Sequence, residues 1–329
     1  MPQIPAFDAL PLQKDGPPGN AWGLFGPDDQ LGRLNFLTPE VVKAAANEIQ
    51  VGTRISLDWD LDKPKVPGYN RQTFRHQILN KAPSIENDDA VEFNTQGGSQ
   101  WDGLRHFGYQ SYQKFYNGRT QDNFSVGDDM GINIWVENGG IVGRGVLLDW
   151  ADWAVKNGID PDPFRSAPVE LKHLKRIVED CNIELRSGDI LFVRVGFVRA
   201  YEELPSEEHD DFFTKADSRF VGLEATQDSL RWLWEKQFAA VVSDSPAFER
   251  GPINGPFNHP DVNIHQWCLA GWGMPIGELF DLERLAQECR RLGRWSFFVS
   301  SMPLKVSPYH TVKILPLTVT GTGRRRKPA

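Results

Sequence analysis

The chain has 329 residues, 40% hydrophobic and 24% charged, a globular composition long enough to bury a sizeable core. A formal net charge of -8 excludes a nucleic-acid footprint, which needs a basic face to release counterions from phosphates. No uncharged apolar run approaches the roughly 18 residues of a membrane span, and Met1–Gly19 lacks the apolar centre of a secretory signal, so a cytoplasmic protein without a membrane or nucleic-acid partner is expected.

Residues 1 to 21, rich in Pro and Gly, read as an irregular N-terminal segment. Thr38-Pro39-Glu40 followed by Val41, Val42, Ala44 and Ala45 gives an N-cap, a proline at the first helical position and an apolar face. The helix should reach about Gln50, and Gly52 ends it. Arg54 to Leu61 alternates polar and apolar residues like a half-buried strand. Residues 62 to 88, with their prolines, asparagines and lysines, predict a surface excursion, and Ala90 to Gln96 a strand. Gly139 to Asp149 turns into a buried strand, and Pro168 to Cys181 places Leu171, Leu174, Ile177 and Val178 at helical spacing. The apolar run Ile190 to Val195 is the next strand. A helix over Leu223–Lys236 feeds a strand at Phe238–Val242, and a helix around Leu282–Leu292 leads to one at Trp295–Val299. A last strand is predicted from Thr311 to Leu317. This alternation predicts an α/β fold with mixed strand directions, arranged as one domain over residues 22 to 317. A tail from 318 to 329 follows, whose basic run Arg324, Arg325, Arg326 and Lys327 reads as solvated.

The densest polar and aromatic stretch is Gln96-Gly97-Gly98-Ser99-Gln100-Trp101-Asp102-Gly103-Leu104-Arg105-His106-Phe107. Catalytic groups favour such a loop leaving a strand, because the strand positions them and the loop exposes their tips. Asp102 and His106 form the natural acid–base pair. If the segment after Trp101 is helical, their spacing puts them on one face; the alternative is a structural hydrogen bond between them. Taken alone, His265 beside Trp267 reads as a satisfied core histidine and Glu278 as a surface or capping acid. Eleven tryptophans point to core packing, with Trp101, Trp267 and Trp272, joined by Tyr109, as candidate walls of a pocket for a flat ligand. Neither a Walker-type phosphate loop nor a Gly-x-Ser-x-Gly elbow occurs, so phosphoryl transfer and serine hydrolysis are unsupported. The three cysteines, Cys181, Cys268 and Cys289, lie too far apart for a zinc knuckle or redox pair.

The stretch resembles the cyclase family, of kynurenine formamidase and isatin hydrolase type, whose signature has the form His-x-Gly-Thr-His-x-Asp-x-Pro-x-His. Gly98, Asp102 and His106 match it, and Ser99 stands for the threonine. Gln96 and Gln100 occupy the two histidine positions and Leu104 the proline position. A second part of the resemblance covers Val241-Val242-Ser243-Asp244-Ser245-Pro246, then His265, then Glu278, with His259 a spare candidate. Weaker matches at Trp22 to Glu40, Gly143 to Asp149 and Gly188 to Arg194 keep the family's order.

The resemblance implies a swivelling β/β/α fold, a mixed sheet or barrel-like core flanked by helices, and a homodimer or homotetramer. It implies a divalent metal, zinc or manganese, on Asp102, His265 and Glu278 with help from Gln100, and His106 as general acid/base. The expected activity is hydrolysis of a small cyclic amide, lactone or aryl formamide. Glutamine, however, offers a neutral amide oxygen, a poorer ligand than imidazole nitrogen. That opens a second reading with no metal, in which Asp102 and His106 run an isomerisation, dehydration or cyclisation while Gln96 and Gln100 fix the substrate oxygen. A third reading is a non-catalytic protein that binds a small ligand.

Overall fold

Thr38 and Pro39 begin the first helix as their chemistry requires. Thr38 Oγ1 accepts the Val41 N–H at 3.4 Å, and Pro39 sits in the first turn, where no N–H is needed. In the computed structural model, which describes residues 2–124, 129–210, 212–215 and 219–306, this helix spans Pro39–Ala45 and closes in a 3-10 turn at Ala46–Glu48. It stops short of Gln50 because Ala45 is its one buried side chain, leaving little packing to extend it.

The strands are, in chain order, β1 (Arg75–Asn80), β2 (Asn87–Glu92), β3 (Gln100–Asp102), β4 (Ile141–Asp149), β5 (Pro168–Val169), β6 (Ile190–Arg194), β7 (Gly222–Leu223), β8 (Ala240–Ser243), β9 (Ile276–Glu278) and β10 (Ser296–Ser301). Six of them form the main sheet in the order β10-β4-β6-β8-β9-β3. The four central strands are parallel, and the edges β10 and β3 run antiparallel to their neighbours. All of β6 and β8 and nearly all of β4 is buried, which is why these segments read as unbroken apolar runs. Helices Trp150–Lys156, Leu171–Asp180, Gln227–Glu235 and Glu283–Leu292 alternate with the strands; the first two pack on β6 and β4. The architecture is a mixed α/β sheet flanked by helices, open at both edges rather than closed as a barrel.

Two expectations are corrected, and a third is not reached. Arg54–Leu61 does turn Ile55, Leu57 and Trp59 inward in alternation, but it joins no sheet. Its backbone is spent on single loops: Leu57 O accepts from Asp281 N at 2.9 Å, and Trp59 N donates to Ser99 Oγ at 2.7 Å. The strand expected over Ala90–Gln96 lies at Asn87–Glu92 and pairs only with β1, in an exposed hairpin within the stretch read as an excursion. The strand expected at Thr311–Leu317 and the basic tail lie outside the described residues. No helix among the described residues is long and apolar enough to cross a membrane.

Before β3, the N-terminal segment is bound into the core. Phe7 stacks on Trp267 at 5.7 Å, and Arg33 N donates to Gly273 O at 2.9 Å. Gly32 (φ 56°) and Gly273 (φ 63°) touch backbone to backbone, and a Cβ on Gly32 would lie 2.0 Å from the Gly273 oxygen. Only glycine fits both the left-handed conformation and that approach. The contact holds the loop that follows a π-helix at Gln266–Gly271, the element entered from His265.

Candidate functional site

β3 is three residues long, and the two-residue period of a strand decides what it presents. Gln100 and Asp102 share one face, and Trp101 points to the other, where its ring meets Phe280 at 5.3 Å and its Nε1 donates to Ser301 Oγ. Ser99 fixes the strand's approach by donating from Oγ to Leu279 O at 2.6 Å. After Asp102 the chain turns instead of forming the helix that the Asp102–His106 spacing invited. His106 N donates to Gly103 O at 2.9 Å, and the turn folds His106 back until its Nε2 lies 3.8 Å from Asp102 Oδ1. The pair therefore meets through a turn.

The remaining groups arrive from β9 and from the loop beyond β8. Glu278 is the register partner of Gln100, whose Nε2 donates to Glu278 Oε2 at 2.7 Å and to Gln96 Oε1 at 3.2 Å. His265 Nε2 lies 3.1 Å from Glu278 Oε1 and 3.5 Å from Asp102 Oδ2, aligned for a hydrogen bond with neither. Its other ring nitrogen is committed: Nδ1 is 2.7 Å from Glu249 Oε2, while His265 N donates to Glu249 Oε1 at 3.1 Å. Glu249, wholly buried, is the residue that sequence reasoning missed. A lone acid after Pro246-Ala247-Phe248 carries no pattern that would single it out.

Asp102, His265 and Glu278 are buried almost completely, whereas 25% of the His106 side chain is exposed, so solvent reaches the cluster on the His106 side. Burial alone would suppress the His265 cation, but the Glu249 charge and contacts with Asp102, Glu249 and Glu278 hold its pKa well above the ordinary value. Burial and the neighbouring Asp102 charge push Glu278 up to about 8. Burial would also raise Asp102, but His106 and His265 outweigh it and lower its pKa. Burial lowers His106, with the Asp102 charge only partly opposing, and leaves it neutral at pH 7.

Gln100 Oε1, both Asp102 oxygens, His265 Nε2 and Glu278 Oε1 are buried without a hydrogen-bond partner. The other such atoms among the described residues are the three guanidinium nitrogens of Arg33 and Asn258 Oδ1. Stranded polar atoms are costly, and a cluster of mostly anionic donors is what a cation would satisfy. One ligand atom each from Asp102, His106 and His265 lie within 4.8 Å of one another. The nearest approaches are 3.1 Å between His265 and Glu278, 3.5 Å between His265 and Asp102 Oδ2, and 3.8 Å between His106 and Asp102 Oδ1, so the donor atoms crowd one small space. The Glu249–His265 contact is the arrangement that turns a histidine's free nitrogen toward a metal. These residues fit a divalent cation.

The other residues singled out in the sequence lie elsewhere. Tyr109 is buried and donates its hydroxyl to Pro18 O at 2.7 Å. Trp267 Nε1 donates to Asp261 O and Trp272 Nε1 to Gly19 O, both at 3.0 Å. These three rings fasten the N-terminal segment and neighbouring loops and are not brought to the cluster, nor is Trp101. His259 is exposed beside Asp261. Gln96 is brought in through Gln100, and Phe107, not singled out beforehand, sets its ring 5.5 Å from that of His265.

The cyclase family model matches residues 32–250, about two thirds of the chain. A solved structure described as a novel cyclase shares 29% identity, covering 88% of this chain and 95% of its own, at a TM-score of 0.75. Isatin hydrolase A from Labrenzia aggregata, bound to benzyl benzoate, shares the fold at 13% identity, with 77% of this chain and 88% of that one covered and a TM-score of 0.54. An isatin hydrolase bound to the product analogue thioisatinate aligns at 12% identity over 75% and 87% of the two chains, with a TM-score of 0.50. No curated protein matches the sequence. By a family match over two thirds of its length, with a solved cyclase sharing its fold, the chain belongs to the cyclase family.

Proposed function

We propose that the protein is a metal-dependent hydrolase of a small cyclic amide, lactone or aryl formamide. The observation that carries this reading is His265, whose Nδ1 is engaged by a buried carboxylate while Nε2 is left unpaired among the oxygens of Asp102 and Glu278. A divalent cation, zinc or manganese, held by Asp102, His265 and Glu278 would supply carbonyl polarisation and a more acidic water. Gln100 acts here through its amide N–H, which holds Glu278 in place. His106, neutral and on the solvent side, takes a proton from the attacking water and returns it to the departing nitrogen or oxygen. The balance is one water consumed, one C–N or C–O bond broken, and a carboxyl group formed with an amine or hydroxyl. Glu249 keeps the His265 ring in one orientation and tautomer.

The convergence of Asp102, His106 and His265 favours a second assignment, with His106 as the third ligand and Glu278, pushed up to about 8, handling the proton. Elemental analysis of protein purified without chelator or affinity metal, repeated on His106→Ala, separates the two. Stoichiometric metal retained with activity lost supports the first assignment; metal lost supports the second. Metal-free wild type that is active and insensitive to chelators sinks both, and leaves Asp102 and His106 as an acid–base pair for isomerisation or dehydration. Isatin, the cyclic amide named by the fold relatives, heads the substrate panel, followed by formanilide and dihydrocoumarin.

A further inference from the structure

The turn Gly68–Arg71 lies against the loop that leads into β3, and its backbone is unusual. Arg71 N donates to Gly68 O at 3.3 Å, and both central residues are left-handed, Tyr69 at φ 61° and Asn70 at φ 55°. Asparagine tolerates that region; tyrosine rarely occupies it, and such strain concentrates where a side chain must be aimed. The residue aimed is Arg71. Its Nη1 donates to Gln96 O at 2.7 Å, and its guanidinium lies 4.9 Å from the centre of the Tyr69 ring. Gln96 in turn touches Gln100, so the guanidinium stands at the lip of the cluster, half-buried. No carboxylate among the described residues forms an ion pair with it, whereas the half-buried Arg119 and Arg290 each have one.

We propose that Arg71 is a specificity-determining residue that receives a carboxylate at the mouth of the site. This deepens the hydrolase reading and rests on it for the identity of the carboxylate, while the anion site itself stands on the turn and its anchors. A guanidinium held by one backbone bond and a ring keeps further N–H groups for a planar anion, the geometry a carboxylate fills with two parallel bonds. Two sources offer a carboxylate there: a substituent already on the substrate, or the group released when a lactone or cyclic amide opens.

The test uses the full chain without added metal, so that benzoate has no cation to bind. Benzoate binding, followed by calorimetry, should weaken about 10- to 100-fold in Arg71→Gln and recover in part in Arg71→Lys, which restores charge without the fork. Affinity unchanged within about threefold in Arg71→Gln, or no benzoate binding to wild type, overturns the proposal. This readout needs no turnover, so it stands or falls apart from the hydrolase reading. Kinetics then assign the source. A fall in the ratio of kcat/KM for N-formylanthranilate over formanilide in Arg71→Gln identifies a substrate carboxylate. A constant ratio, with weaker inhibition by the hydroxy acid formed from dihydrocoumarin, identifies the product carboxylate.

Discussion

Glu249→Gln tests whether His265 is built to be a ligand. The glutamate spends one oxygen on His265 Nδ1 at 2.7 Å and the other on His265 N at 3.1 Å. Glutamine has one acceptor oxygen for these two donors and no charge, so one bond is lost in a wholly buried place. A charged hydrogen bond of this kind contributes about 1.5–3 kcal/mol, and loss of such a supporting group lowers metal affinity about 10- to 100-fold, or about 1.4–2.7 kcal/mol. Protons sharpen the expectation. In the metal-free protein the His265 pKa is held well above the ordinary value and Glu278 is pushed up to about 8, so at pH 7 a metal must displace protons from both. The variant should release fewer protons, because without the Glu249 charge burial pulls His265 down. The stability sign follows from the same shift. A raised histidine pKa stabilises the fold fully below its unfolded value of about 6.5, and that contribution fades as pH climbs through the folded value. Glu249→Gln without metal should therefore lose more stability relative to wild type at pH 6 than at pH 9. Chelator competition, calorimetry in buffers of different ionisation enthalpy and urea unfolding at the two pH values read these quantities. Metal affinity within about threefold of wild type, with unchanged proton release, would refute the assignment of His265 as a ligand oriented by Glu249.

Restoring imidazole at the two altered positions, in Gln96→His/Gln100→His, should tighten zinc binding at least about tenfold by chelator competition; unchanged affinity would mean that these side chains do not face the cation. Gly32→Ala should cost about 2–5 kcal/mol in urea unfolding, from the left-handed φ and the 2.0 Å approach to Gly273 O. Gly23→Ala, at φ 81° with nothing within 4 Å of the added carbon, should cost only about 1–2 kcal/mol, and equal losses at the two sites would discount the close approach.

The central strands were legible because burial on both faces writes itself as continuous apolar sequence, as in Ile190 to Val195 and Phe238 to Val242. Asp102 and His106 were legible as chemistry but not as geometry. Spacing of four suggests one face of a helix; in the structure the first lies at the end of a strand and the second in a turn. That difference also redirects Trp101, because a period of two places consecutive residues on opposite sides of the sheet. For the aromatic residues, sequence leaves core packing and pocket lining undivided. A tryptophan or tyrosine that would line a pocket and one that clamps a loop share an apolar body and a polar handle, and only the acceptor tells them apart. For Trp267, Trp272 and Tyr109 those acceptors are the carbonyls of Asp261, Gly19 and Pro18. Glu249 and Arg71 were invisible because each is a single charged residue whose role exists only through a partner distant in sequence or a strained turn.

The two glutamines acquire a physical meaning once the hydrogen bonds are traced. An imidazole at position 100 would present a ligand nitrogen; the amide presents a weaker neutral oxygen and a donor, and that donor goes to Glu278 Oε2. The other oxygen of Glu278 then stands 3.1 Å from His265 Nε2. On the proposed ligand set, Gln100 acts through Glu278, the strong donors sit on β9 and the His265 turn, and Asp102 is the one anionic donor at the β3 edge. Such a set has fewer imidazoles and more buried carboxylates, so the metal-free cluster carries protons that a histidine-rich one would not. Affinity should therefore depend more steeply on pH, and loading should be strongest above the range where Glu278, pushed up to about 8, gives up its proton.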